Sequence, residues 1–336
     1  MNFTKLILLL GCLICSELYA QVNDTSALKL NNTLPNDDSS TIDTDKQLSD
    51  IVCQILKIKQ KKVKLTPKKI KARKLLFAIL PGIGYNLQSS FTGIITANIS
   101  FYLGTKKTTN ISVINTDLEY SPSHMQTLVP FVFNIWLKDN KFNFVGDFRY
   151  LIFPSNTYGL GVFSDDKKVD IIDYTYLKAH VVGFKPLHKD FYLGLGYNLD
   201  YHWKIIDSDT NTNFNKYNNN TAQTISSGIY ASIKYDSRRN INNPQGGGFY
   251  SLGIRPNITA IGSDQNWQSI LIDARKYFKF KTLRSNILAF WSYNWLTFGK
   301  TPYLDLPSTG WDTYANVGRG YIQGRFRGPN LIYLES

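Results

Sequence analysis

The chain has 336 residues, with 38 lysines and arginines against 25 aspartates and glutamates, a formal net charge of +13, and 14% aromatic residues. That is enough chain for one large domain or two ordinary ones, and it holds no internal run of about eighteen apolar residues that could form a transmembrane helix. A membrane is not thereby excluded: a transmembrane barrel carries its apolar side chains at alternate positions, and its mean hydropathy (−0.22 here) resembles that of a soluble protein.

Residues 1–20 read as a secretory signal peptide. Lys5 supplies the positive start, Leu6 to Ile14 the apolar core, and Leu18-Tyr19-Ala20 a small residue for cleavage before Gln21. Leu9-Leu10-Gly11-Cys12 resembles a lipobox, but it leaves too short an apolar region ahead of the cysteine. Cys12 and Cys15 fall within the signal. Cys53 alone then remains in the mature chain, and no intramolecular disulfide is expected. The chain has no CxxC pair and no HExxH, and His124, His180, His188 and His202 are scattered, so neither zinc nor another cofactor is expected.

Residues 21–73 read as a disordered periplasmic segment. "NDTSALKLNNTLPNDDSSTIDTD" has no apolar period. It leads into "KIKQKKVKLTPKKIKARK", where ten lysines or arginines lie between Lys57 and Lys74. Nucleic acid is one partner for such a run, but an exported chain rarely meets it. Anionic lipid head groups or an acidic protein fit better, beside the plain alternative of a solvated tether.

From residue 74 to residue 336 the text changes to alternation. In "FTGIITANISFYLG", Phe91, Ile95, Ala97, Ile99, Phe101 and Leu103 share one parity, with Thr92, Thr96, Asn98 and Ser100 on the other. In "FYLGLGYNLDYHWKI", Phe191, Leu193, Leu195, Tyr197, Leu199, Tyr201, Trp203 and Ile205 share one face, and Asn198, Asp200, His202 and Lys204 the other. Fifteen residues of strict period two make a strand of about 50 Å, twice the usual soluble length. Eleven such strands are expected near 74–85, 91–104, 109–121, 125–138, 141–153, 174–186, 189–205, 223–236, 248–261, 267–280 and 284–298, with a twelfth starting near Leu331.

The connections sort by parity. The long ones, 154–173, 206–222 and 299–330, follow odd strands, whereas "KKTT", "KDN", "PLHKD" and "KFKTL" follow even ones. Short turns on one side and long loops on the other are the habit of outer-membrane barrels, and a secreted β-sandwich has no reason to share it. Tyr85, Tyr102, Tyr120, Phe153, Trp203, Tyr235, Trp267 and Trp295 fall near strand ends, where amphipathic rings suit a lipid interface. For any one of them, packing in a core explains the position equally well.

No enzyme signature is present: no G-x-S-x-G elbow, no P-loop and no complete G-x-G-x-x-G. Gly194-x-Gly196 lies inside a strand, and Asp165/Asp166 lie in an outer loop and read as solvated. A Ser–His–Asp site assembled in space, as in outer-membrane hydrolases, is the least favoured reading. "YDSRRNINNPQGGGFY", Tyr235 to Tyr250, is punctuated as a turn by Asn, Pro and Gly, and Asp236 with Arg238 can fix it through a charged hydrogen bond. "NVGRGYIQGRFRGPN", Asn316 to Asn330, looks like an RNA-binding Arg-Gly tail, yet it falls between two strands of an exported chain.

These two stretches together resemble the bacterial surface antigen superfamily: outer-membrane protein assembly factors of the BamA/TamA type and the related two-partner secretion transporters. The family's periplasmic turn is matched by Asp236, Arg238, Asn240, Pro244 and Gly247, with Arg239 in place of a second acid. Its Arg-Gly-Phe/Tyr motif is matched by Arg319, Gly320 and Tyr321, with Gly318 where an aliphatic residue is common. "LPGIGYNLQSSFTGIITA" resembles the first hairpin through Pro81, Gly84, Tyr85 and Gly93, and "YGLGVFS" at 158–164 resembles the third outer loop.

The resemblance implies an all-β transmembrane antiparallel barrel on a sixteen-strand plan, with about twelve strands present and the chain incomplete at its C-terminus. Residues 21–73 are too few for the POTRA domains of the family. The loop after the eleventh strand is expected to fold back into the lumen, with Arg319 touching the inner wall near strands twelve and thirteen. The implied setting is the outer membrane of a Gram-negative bacterium. The implied work is non-enzymatic assembly, insertion or translocation of proteins. Its partners would be outer-membrane lipids, client outer-membrane proteins and accessory lipoproteins, with no nucleic acid. The alternative is a barrel-only surface antigen or passive pore.

Overall fold

Residues 75–86, 90–123, 125–161, 164, 169–207, 221–241, 243–280 and 286–336 are described by a computed structural model. The expected signal peptide and polar segment, all three cysteines, the basic run Lys57–Lys74, His124 and Asp165/Asp166 lie outside the described residues. Among the described residues no helix is long and apolar enough to cross a membrane.

The chain runs as antiparallel strands β1 (Leu75–Asn86), β2 (Ser90–Phe101), β3 (Ser112–Ser121), β4 (Gln126–Trp136), β5 (Asn143–Ile152), β6 (Ser155–Thr157), β7 (Asp170–His188), β8 (Phe191–Asp207), β9 (Gln223–Asp236), β10 (Gly247–Asn257), β11 (Trp267–Phe280), β12 (Asn286–Gly299) and β13 (Asn330–Glu335). They form one sheet in chain order, with only the short β6 off the path as a side partner of β7. All twelve strands read from the alternation are present. The reading missed β6 and started β7 four residues late, at residue 174 rather than Asp170.

The two faces are inverted relative to a soluble sheet. Leu195 on β8 is 67% exposed, as are, to lesser degrees, Leu193, Tyr197, Ile229, Ile233, Leu252, Ile254 and Ile272 on β8 to β11. On the same strands the alternate residues Asn198, Asp200, Ser226, Ser232, Arg255, Asn257 and Asp273 are buried. A sheet with charge on its covered face and aliphatic side chains on its open face is unstable in water and has the pattern of a transmembrane barrel.

The sheet must also curl. Arg319, in the β12–β13 loop, bonds Glu335 on β13 at 2.8 Å, while Gly318, Arg319 and Gly320 line a cavity with Thr92 on β2 and Glu119 on β3. Ten ladder steps separate β13 from β2 in the sheet order, which on a flat sheet would be about 48 Å. One short segment can touch both only if the sheet wraps around it. Among the described residues no ladder joins β1 to β13.

Connections gather at two ends, as their parity implies. The β2–β3 and β4–β5 turns bond each other through Thr108 Oγ1 to Asp139 Oδ1 (2.6 Å) and the Asn110 amide to Asn140 Oδ1 (2.8 Å). At the same end the Asp236 amide donates to the Asp190 carbonyl of the two-residue β7–β8 turn, at 2.8 Å. At the opposite end the β5–β7 and β12–β13 connections meet: Gly161 N–H donates to Arg327 O at 2.8 Å, and Tyr303 Oη lies 2.6 Å from Thr157 Oγ1.

Ile205, assigned outward by alternation, turns inward, and so do Phe153 and Trp267, for which the strand-end position left lipid interface and core packing equally open. Ile205 is buried because β8 bulges: Lys204 has φ +53°, and the register passes from Thr175↔Trp203 to Asp173↔Ile206, so two β8 residues oppose Tyr174 alone. The extra residue flips Ile205 into an apolar cluster with Leu151, Phe153, Ile172, Tyr174, Tyr176 and Tyr303. Phe153 is thereby a core residue packed on Trp311 at 5.7 Å, not an interface ring. Trp267 is buried as well, with its Nε1–H donating to Ser226 Oγ at 3.1 Å. Tyr85, Tyr120 and Tyr235 are exposed, as an interface position requires.

Gly228 marks one close inner contact of this wall, where β9 meets β10. A Cβ there would lie 2.6 Å from both the Pro256 carbonyl oxygen and Asn257 Oδ1. Gly228→Ala is therefore expected to lower stability by about 1–3 kcal/mol, measured by urea titration in detergent or lipid. Unchanged stability would mean that β9 and β10 are not this close.

Candidate functional site: a loop docked on the inner wall

The inner faces of β5, β7, β8, β9 and β10 carry a connected polar network. Asp200, on β8, accepts from Tyr176 Oη and Arg255 Nη1 and lies 2.9 Å from His180 Nε2. Arg255 also donates to the carbonyls of Asn198 (3.2 Å) and Ser226 (3.0 Å) and lies over the Trp267 ring. Asp147 is held by a bidentate pair with Arg149 (2.6 and 3.0 Å) and by Lys178 Nζ at 2.7 Å. Such charges are tolerated out of water only when paired and hydrogen-bonded.

The β12–β13 connection, residues 300–329, docks on this network. The short 3-10 helix Tyr303–Asp305 presents Asp305, whose Oδ2 accepts from Ser226 Oγ at 2.5 Å. Its Oδ1 is 3.8 Å from Nδ1 of His202, a ring stacked on Tyr176 at 4.1 Å. Burial, and next to it the charge of Asp200, push the Asp305 carboxyl up to about 7. Further on, Arg149 Nη2 donates to the Thr313 carbonyl at 2.6 Å, and Trp311 packs on Tyr176 and Phe153.

The loop is organised from inside by Arg327, which is 6% exposed. Its Nη1 donates to the carbonyls of Tyr303 (3.0 Å) and Leu304 (3.1 Å), and its guanidinium lies 5.0 Å from the Tyr303 ring centre. Arg325 donates to Ser164 Oγ (2.6 Å) and O (2.8 Å) and lies over Tyr158. Asp312 accepts from the Val317 and Asn316 amides at 2.9 and 3.0 Å, turning the chain back at the start of the Arg-Gly-rich stretch. Gly318 (φ +76°), Gly320 (φ +90°) and Gly324 (φ +78°) carry that return.

The motif residues take definite places. Arg319 is 62% exposed and pairs with Glu335 of β13, the twelfth strand of the sequence reading; Gly320 follows it, and Tyr321 is exposed with its ring edge-on to Phe326. In the β9–β10 turn, Arg238 makes a bidentate pair with Asp236 at 2.9 and 2.8 Å. Asn240 Oδ1 accepts from the Asn243 amide at 3.1 Å, and Gly247 (φ +87°) has room for no side chain, since a Cβ there would lie 2.6 Å from Ser237 O. Pro244 lies in the same turn. The turn and the loop motif are at opposite ends of the sheet and are not one site.

Sequence reading overlooked Arg255 and Asp305, and it left Arg327, like Arg325, open between assisting Arg319 and facing water. A signal existed for the two overlooked residues. Arg255 interrupts the aliphatic text of "SLGIRPN", and Asp305 sits between leucines in "YLDLP". Arg327 has no local mark that separates it from Arg319 and Arg325.

What the site can do follows from its bonds. Ser226 donates to a carboxylate and accepts from Trp267, so its hydroxyl is committed to two structural bonds. Among the described residues no group of three or more His, Cys, Asp or Glu is placed to hold a metal ion. The arrangement is a clamp between a loop and a wall. Fold and site together define an all-β antiparallel sheet of barrel type, apolar outside, charged inside and wrapped around a docked loop.

No family model matches the chain, and no curated protein matches it. Among solved structures it is similar to the crystal structure of BamA from Haemophilus ducreyi lacking POTRA domains 1–3, with 15% identity and a TM-score of 0.45 over 70% of this chain. The chain spans 44% of the length of that protein. At this identity and TM-score the likeness says nothing of activity.

The two loop arginines are expected to differ sharply on substitution. Arg327→Ala removes a buried charge from two close carbonyls and should cost about 2–4 kcal/mol. Arg319→Ala breaks an exposed pair and should cost about 0–1 kcal/mol. Urea titration of both variants checks this, and equal costs would contradict the assignment of Arg327 as the loop's internal anchor.

Proposed function

We propose that this chain is an outer-membrane barrel of a Gram-negative bacterium that takes part in assembly, insertion or translocation of proteins at that membrane. The observation that carries the membrane part is the inverted sheet, with exposed Leu195, Ile233 and Ile254 outside and buried Asp200, Arg255 and Asp273 inside. Lipid is the solvent in which those faces are stable. The assembly part is supported by the Arg319-Gly320-Tyr321 loop and the Asp236–Arg238 turn, which resemble those of assembly factors and secretion transporters. Client outer-membrane proteins and accessory lipoproteins are the partners this reading requires. The basic run Lys57–Lys74 suits anionic head groups or an acidic partner.

A passive pore is the second reading, favoured by the charged inner wall, which is what a water-filled lumen needs. Folding of an unrelated barrel protein into liposomes separates the two. An assembly factor should accelerate that folding several-fold, and Arg319→Ala should reduce the gain without unfolding the protein. Steady conductance in a planar bilayer with no effect on client folding would overturn the assembly reading and leave the pore.

A further inference from the structure

Residues 300–329 are attached to the wall strands by side chains. Their own backbone bonds run within the loop, to Gly161 of the neighbouring connection, or to the ends of β11 and β12 at Asn266 and Thr297. Asp305 is the carboxylate carried to the wall by this loop, and it is 8% exposed. The groups that face it are Ser226 on β9, His202 and Asp200 on β8, Tyr176 on β7, Arg255 on β10, and Arg327 on the loop itself. The cations in that set are engaged elsewhere: Arg255 with Asp200, and Arg327 with the loop carbonyls. His202 Nδ1 has no hydrogen-bond partner among the described residues and stays 3.8 Å away. An ionised Asp305 therefore brings a second negative charge beside Asp200 with no cation of its own.

We propose that docking of the 300–329 loop on the inner wall is switched by the protonation of Asp305: the loop is seated while that carboxyl is neutral and loosens as it ionises. The sign follows from linkage. The seated carboxyl is raised to about 7, and a released, solvated aspartate titrates near 3.9. The seated state thus binds the extra proton between those values. The release equilibrium should rise about tenfold per pH unit from about pH 4 to about pH 7 and level off above that. The switch concerns the loop alone and does not depend on which work the barrel performs.

The test uses the full chain with Cys12, Cys15 and Cys53 changed to serine and Ser308→Cys as the sole thiol. Ser308 is buried in the docked loop, and its hydroxyl has no hydrogen-bond partner among the described residues. Labelling by a water-soluble thiol reagent in detergent, divided by the rate in denaturant at the same pH, cancels the thiol's own ionisation. The expected result is a ratio that climbs through pH 4–7 in this background and is flat when Asp305→Asn is added. A flat ratio before Asp305→Asn is introduced overturns the proposal. So does a slope that survives in Asp305→Asn, or one that vanishes in His202→Gln while Asp305 is intact, since the histidine would then be the switch. Because no client protein or bilayer current enters the measurement, failure of the assembly reading would leave its outcome unaffected.

Discussion

Asp200 is 4% exposed and takes contacts from Tyr176 and His180 on the neighbouring β7 and from Arg255 on β10, two strands away. A carboxylate out of water costs several kcal/mol unless its partners are in place, and these partners are in place only when β7, β8, β9 and β10 keep their register. The rest of the structure follows from this constraint. Charges of both signs fill one face of the sheet, so that face must be enclosed and cross-bonded. The other face is then left with leucine, isoleucine and tyrosine, which need an apolar solvent. The wall also needs a cover, and the loop supplies one with Tyr303, Leu304, Leu306 and Trp311 packed on Leu151, Phe153, Tyr174 and Tyr176.

Two arginine roles are divided within one short stretch. Arg319 faces outward from the loop to Glu335, where solvent screens it. Arg327 lies under Tyr303 and ties together the backbone that presents Asp305. The glycines between them allow the chain to reverse, so that Arg319 reaches β13 while Arg327 stays inside the loop. An Arg-Gly-rich text that in isolation suggests an RNA-binding tail is, in this fold, the material of a tight internal loop.

The strands were legible because period two is a direct consequence of a pleated backbone with one face in each solvent. Over β8 the alternation held from Phe191 to Trp203 and failed only where the Lys204 bulge inserts a residue. Nothing in the local text "HWKII" distinguishes a bulge from continued strand. The short β6 was invisible for a different reason: three residues, Ser155–Thr157, carry too little pattern, and their place is fixed by β7 and Tyr303. The turn chemistry of Asp236 and Arg238 was readable because both partners are two residues apart. The loop site was not, because Asp305 meets Ser226 across 79 positions, and no local rule reaches that far.

The central claim is that β8 and its neighbours present one face to lipid and the other to a charged, loop-covered interior. Nitroxide labels placed singly along β8 from residue 193 to 203, in the protein reconstituted into liposomes, test it most directly. Collision with oxygen, which partitions into lipid, should be high at 193, 195, 197 and 199 and low at 194, 196, 198 and 200. Collision with a water-soluble nickel chelate should be low at both sets in the bilayer interior. Uniform accessibility along the strand, or oxygen contact highest at 198 and 200, would contradict the account.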